Sequence, residues 1–184
     1  MTLRASPQLE GFTSRGIEVL LLSDHVDDFW VSVVSDYKGK KFKSVTRGDI
    51  DFGGTAEEKP ASAETTGLTE RLKELLKEEI EDVRVSKRLT DSPVCLVASD
   101  AGIDMHMERV LKIHQKYAGG AKPVLEINTA HPLIKKLQSA KINDNDFENA
   151  ARLLLDQAKI IQGLPVNDPG GFVRRMCVFM EGGL

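Results

Sequence analysis

DFENAARLLLDQAKIIQG (146–163), followed at once by LPVNDPGGFVRRMCVFMEGGL (164–184), is the stretch that decides how this chain is built. Its first half places Phe147, Ala150, Ala151, Leu154, Ala158 and Ile161 at helical spacing. Leu153, Leu155 and Ile160 widen that stripe beyond what one core-facing side needs. Gly163, Pro165 and the Asp168-Pro169 step then break the chain. A second, shorter helix adds Phe172, Val173, Met176, Cys177, Phe179 and Met180. The pattern is a helical hairpin with more apolar surface than a single core uses. An end this apolar is covered by something, and the economical cover is a second copy of the chain.

Upstream of the hairpin the elements alternate. Leu68, Leu72, Leu75, Leu76 and Ile80 mark a helix; residues 83–89 alternate like a strand with one exposed face. Thr90-Asp91-Ser92-Pro93 is a turn, and residues 94–98 form a buried strand. A helix carries Ile103, Met107, Val110, Leu111 and His114; residues 124–127 make a third strand, and Pro132 opens a helix through Leu133, Ile134 and Leu137. The fold class is α/β (α+β): a three-stranded sheet with helices and the terminal hairpin.

The first 46 residues read as one β-α-β unit. Ser6-Pro7 starts a short helix through Leu9 and Phe12 that Gly16 ends. Residues 17–22 are an apolar run suited to a buried parallel strand. Asp24 caps a helix with Val26, Phe29, Trp30, Val33, Val34 and Tyr37 at helical spacing, closed by Gly39, and residues 42–45 form another strand. One such unit is too small for a core of its own. Residues 47–67, rich in Gly, Ala, Thr and charge, read as a flexible linker.

With 25 Lys and Arg against 28 Asp and Glu in 184 residues, the net charge of −3 leaves no nucleic-acid footprint. No apolar run is long enough to span a bilayer, and no signal-peptide pattern opens the chain. Cys95 and Cys177 lack ligand spacing and read as reduced core thiols of a cytoplasmic protein. His25, His106, His114 and His131 are scattered, so no metal site is expected. No P-loop, dinucleotide loop, HExxH, CxxC or GxSxG occurs. Asp27-Asp28 is read as first-turn acid at a helix N-terminus rather than a catalytic pair. The alternative to a self-associating module is part of a small-molecule-binding α/β enzyme, with the β-α-β start as its binding half.

GIEVLLLSDHVDDFW (16–30), RLTDSPVCLV (88–97), MERVL (107–111), LEINTAHPLIKKL (125–137) and DPGGFVRRM (168–176) stand in one order and spacing. In these the chain resembles the heat shock protein 90 chaperone family, and within it the bacterial high-temperature protein G branch. The resemblance implies the end of a middle domain at 1–46, a linker at 47–67 and a dimerisation domain at 68–184. It implies a fragment of an ATP-dependent chaperone. The ATP and magnesium site and a catalytic arginine would lie in parts of the parent outside this sequence, leaving no cofactor and no ATPase here. Homodimerisation would fall to Leu154, Ala158, Ile161, Phe172, Met176, Phe179 and Met180. Unfolded or partly folded client protein would meet Met105, Met107, Val110 and Leu111. The sequence ends EGGL rather than MEEVD, which speaks against tetratricopeptide co-chaperones as partners.

Overall fold

A computed structural model describes residues 3–24, 26–48, 50, 52, 62–99, 121–139 and 142–183. At its centre are three short strands, β3 (Asp82–Val85), β4 (Val94–Val97) and β5 (Val124–Ile127). The spatial order is β3-β5-β4. β5 runs parallel to β3, with Val83 opposite Leu125, and antiparallel to β4, with Leu96 opposite Leu125. Every residue of β4 and β5 is buried, which their unbroken apolar character, Glu126 aside, requires.

Alternation along the strands gives the sheet two unlike faces. Val83, Val94, Leu96, Leu125 and Ile127 enter the main apolar core with Leu68, Leu72 and Leu76 of helix α3 (Ala63–Leu76) and Ile80 beyond it. Helices α4 (Pro132–Gln138) and α5 (Asp144–Gln162) complete that core with Ile134, Leu137, Phe147, Ala151, Leu154, Leu155 and Ala158. The opposite face carries a smaller cluster of Leu89, Cys95, Val97 and Val124 beside buried Glu126.

Helix boundaries follow local chemistry. Ser62 caps α3 by accepting from the Thr65 N–H, and Asn143 caps α5 by accepting from the Asp146 N–H. His131 caps α4 through Nδ1, which accepts from the Leu133 N–H at 3.1 Å, with Pro132 in the first helical position. Gly163, at φ 70°, ends α5 in the left-handed region, and the Leu164 N–H returns to the Lys159 carbonyl at 2.8 Å. Helix α6 (Pro169–Gly183) completes the hairpin.

The first 46 residues depart from the β-α-β reading. A short 3₁₀ turn at Pro7–Leu9 leads into α1 (Glu10–Thr13), as Ser6-Pro7 suggested. Residues 17–22 are not a strand: no ladder partner lies beside them among the described residues, and Ile17, Leu20, Leu21 and Leu22 are exposed. An apolar run becomes a strand only when another strand offers it hydrogen bonds. The following helix, α2, covers only Asp27–Val33. Tyr37 instead lies in β1 (Asp36–Tyr37), which pairs with β2 (Lys40–Lys41) rather than with a strand at 42–45. Lys38 and Gly39 sit at φ 51° and 76°, the positive pair that a two-residue hairpin turn demands. Helical spacing in residues 34–37 gave way to this turn.

The stretch read as a linker is ordered at both ends. Arg47 bridges Ala98 in parallel, Gly48 and Ile50 are buried, and the ring of Phe52 meets Phe12 edge-on at 5.0 Å. From Ala63 the chain is already α3. Residues 49, 51 and 53–61 lie outside the described residues. Cys95 is buried as expected, but Cys177 is exposed, because it lies on a part of α6 that no described residue covers.

Candidate functional site

The hairpin of α5 and α6 is held at its open turn by polar chemistry. Asp168 caps α6: its Oδ1 accepts from the Gly171 N–H at 2.8 Å, and its carbonyl accepts from the Phe172 N–H. A Cβ at Gly171 would lie 1.8 Å from Asp168 Oδ2, so only glycine allows the cap to close. Arg175 Nη2 donates to Asp156 Oδ2 at 3.0 Å, pinning the second turn of α6 to α5. Burial pushes the Asp156 carboxyl upward, and the Arg175 hydrogen bond opposes that without cancelling it. Beside this pair Lys159 is ion-paired with Glu79, which also accepts from Asn167 Nδ2 at 2.7 Å.

Past Arg175 the helix becomes exposed. Gly171 is buried and Phe172 half-buried, but Met176, Cys177, Val178, Phe179 and Met180 are all exposed. These five residues follow one another round the helix without a polar residue between them, although exposed Arg174 and Glu181 flank them on one side. A helical stretch apolar on every side over more than one turn belongs against another surface. Ile160, exposed on α5, extends the same apolar surface.

The expected interface set therefore divides. Leu154 and Ala158 are 2% and 1% exposed and belong to the chain's own core. A side chain with no accessible area left cannot bury any against a partner, so these two are corrected from interface to core. Ile161 and Phe172 are half-buried; Met176, Phe179 and Met180 are open, Met180 at 57%. Met105, Met107, Val110 and Leu111 lie outside the described residues.

Sequence reading missed a second constellation on the far face of the sheet. Arg88 and Glu126, 1% and 2% exposed, form a buried ion pair with Arg88 Nε 2.8 Å from Glu126 Oε2. Arg84 adds Nε and Nη2 contacts to Oε1 at 3.0 and 2.9 Å, and the Ser86 hydroxyl donates to Oε2 at 2.7 Å. Both arginines also donate to the Gly48 carbonyl at 2.7 Å, and Arg88 reaches the Val45 carbonyl. Burial, and then the neighbouring Glu126 charge, pushes the Cys95 thiol up, so Cys95 is an inert core group. The signal was legible: a single glutamate inside the strand VLEI, and arginines at 84 and 88 in a stretch otherwise read as alternating. A carboxylate in a buried strand needs cationic partners.

Among the described residues at the start of the chain no β-α-β unit is formed. Among the described residues no group of three His, Cys, Asp or Glu is arranged to hold a metal ion, and no helix is long and apolar enough to cross a membrane. The class this defines is a mixed α/β protein ending in a helical hairpin with an uncovered apolar face.

The family model for Hsp90 protein matches residues 1–184. Three similar relatives each bear the name Chaperone protein HtpG. That of Paramagnetospirillum magneticum (strain ATCC 700264 / AMB-1) is 47% identical over 195 residues, covering 99% of this chain and 31% of the relative. That of Nitrobacter winogradskyi is 46% identical over 190 residues, covering 99% and 30%. That of Methylococcus capsulatus is 45% identical over 179 residues, covering 94% and 28%. This chain belongs to the Hsp90 family of chaperones. It spans under a third of the length of these curated relatives.

Proposed function

We propose that this chain supplies the self-association surface of an ATP-dependent chaperone, with two copies pairing through α6. The observation that carries this reading is the helix itself: seven apolar residues between Phe172 and Met180, with every residue from Met176 to Gly182 exposed. A two-fold axis through that surface would set each α6 against its copy and make a four-helix arrangement with the two α5 helices. Met176, Phe179 and Met180 would lie at its centre, Ile161 and Phe172 at its edge. A specific interface of this kind buries about 1,200–2,000 Å² in total.

In the same reading the chain serves the rest of its parent rather than performing chemistry. It binds no ATP and hydrolyses none; nucleotide and magnesium belong to the whole protein. Met105, Met107, Val110 and Leu111 contact unfolded client protein, for which flexible, polarizable methionine is suited. The setting is the cytoplasm, without nucleic-acid or membrane partners. Support comes from membership of the Hsp90 family and from relatives named as chaperones.

Light scattering across a concentration series tests the pairing. The expected result is a dimer that dissociates on dilution, and a Met176→Lys, Met180→Lys double variant that is folded and monomeric. A double variant that dimerises as tightly as the parent chain overturns the reading. Calorimetric titration with ATP is expected to give no stoichiometric heat.

A further inference from the structure

The N-terminal segment is attached to the sheet at two places built in opposite ways. One is deep. Residues 45–48 lie along the outer edge of β4: the Ala98 N–H donates to the Thr46 carbonyl at 2.9 Å and the Gly48 N–H to the Ala98 carbonyl at 3.2 Å. Buried Arg88 ties the Val45 and Gly48 carbonyls to Glu126 from beneath. Removing either partner of such a pair strands a charge in the interior, so this attachment does not open in the folded protein.

The other attachment is polar and made chiefly by Glu10, with Pro7, Gln8 and Gly11 buried beside it. Its carboxylate accepts from the N–H groups of Thr90 at 2.8 Å, Asp91 at 2.9 Å and Ser92 at 3.1 Å, and from the Ser92 hydroxyl. Three successive backbone N–H groups turned toward one point form an anion nest. Gly11, the next residue, lets α1 come close: a Cβ there would lie 2.6 Å from the Arg88 carbonyl oxygen. Gln8 adds a bond from Nε2 to the Leu96 carbonyl at 2.6 Å. No residue before Leu68 belongs to either apolar cluster of the sheet, though Phe12 packs edge-on against Phe52 and Arg15 lies over that ring at 4.1 Å. Both apolar clusters of the sheet are thus complete without α1, and parting the two exposes chiefly hydrogen-bonding groups of the Thr90–Asp91–Ser92 turn. Groups of that kind exchange one partner for another at small net cost.

We infer that Glu10 is a releasable clasp: seated in the Thr90–Asp91–Ser92 nest it holds α1 and the chain up to Ser44 in one orientation, and withdrawn it lets them swing about the 45–48 anchor while the sheet stays folded. This goes beyond the self-association reading and does not depend on it, because the clasp lies within one chain.

Hydrogen exchange and a distance measurement on the full chain test the clasp. In Glu10→Gln the Thr90, Asp91 and Ser92 amides should exchange at least about tenfold faster, the loss expected with a charged acceptor. The Leu125 and Ile127 amides of β5 should keep their parent protection. Spin labels at exposed positions 13 and 70, in a Cys177→Ser background diluted with unlabelled chain, should give one narrow distance in the parent and a broad distribution in Glu10→Gln. Ser92→Ala, which removes one donor and leaves the charge, should lie between the two. Unchanged exchange at 90–92, equal acceleration in β5, or a distance that stays narrow while 90–92 exchange faster would each overturn the inference.

Discussion

Helices α5 and α6 are neighbours of similar apolar content, yet among the described residues only one is covered. α5 turns Phe147, Ala151, Leu154 and Ala158 into the core beneath the sheet and leaves Gln157 and Ile160 to solvent. α6 is tied to α5 through Arg175 and Asp156 and then runs on with Met176, Cys177, Val178, Phe179 and Met180 exposed. The difference lies in the order of residues, not in their number. In α5 polar residues interrupt the apolar ones at helical period; in α6, residues 176–180 are apolar without interruption. The first pattern closes a core. The second needs a surface supplied from elsewhere.

The comparison breaks most visibly at Leu154. Leu154→Ala should destabilise the chain by about 2–5 kcal/mol in a denaturant titration, the range for opening a cavity at a fully buried leucine. Met180→Ala, in samples dilute enough to be monomeric, should cost less than about 1 kcal/mol, since an exposed side chain has little burial to lose. Equal losses for the two would mean that α6 is packed within the chain after all.

Next in size is the joint between the helices. Asp156→Ala removes the buried acceptor of Arg175 and should cost about 1–3 kcal/mol, with α6 amides losing more protection than those of α3. Uniform loss across both helices would show that the pair braces the whole core rather than the hairpin. Gly171→Ala should cost about 1 kcal/mol by displacing the Asp168 cap, and should fray the first turn of α6. Circular dichroism with residue-level exchange separates that fraying from general unfolding.

The smallest effect expected is in pH dependence, and its sign differs between two carboxylates. At Glu10 partial burial disfavours the charge, but the Ser92 hydroxyl and the three backbone N–H groups prevail and hold the carboxyl below its ordinary value. Its contribution to stability is therefore present above the ordinary glutamate range and fades as pH falls through the lowered folded value. Asp156 is raised, chiefly by burial. Protonation favours its folded form, so stability from this group grows as pH falls through the raised value. On acidification Thr90, Asp91 and Ser92 should lose exchange protection before the α5–α6 turn does. The reverse order would contradict both assignments.

Much of the architecture was legible along the chain. β4 and β5 announce themselves as short apolar runs between turn residues; Pro132 and Gly163 mark a helix start and a helix end. Failure came where a local pattern needed a partner to mean anything. Residues 17–22 have a strand's composition, but no described strand lies beside them. Residues 34–37 keep helical spacing, but the positive φ pair at Lys38 and Gly39 turns the chain into a hairpin. Composition alone made 47–67 a linker, though Ile50 is buried and Gly48 gives its carbonyl to two arginines.

The candidate site shows the same division. Sequence alone determined that the last forty residues form two helices, where they break, and that their apolar surface exceeds one core, because periodicity, glycine and proline act over a few residues. It could not say which part of the excess is already used. Leu154 and Met180 look alike in a list of apolar residues, and only the packing of α5 against the sheet sends one inside and leaves the other out. Tertiary structure alone also joined Arg88 to Glu126 and Glu10 to residues 90–92, across separations of 38 and about 80 positions. Such pairings depend on how the strands register and where α1 docks, and no local spacing encodes either.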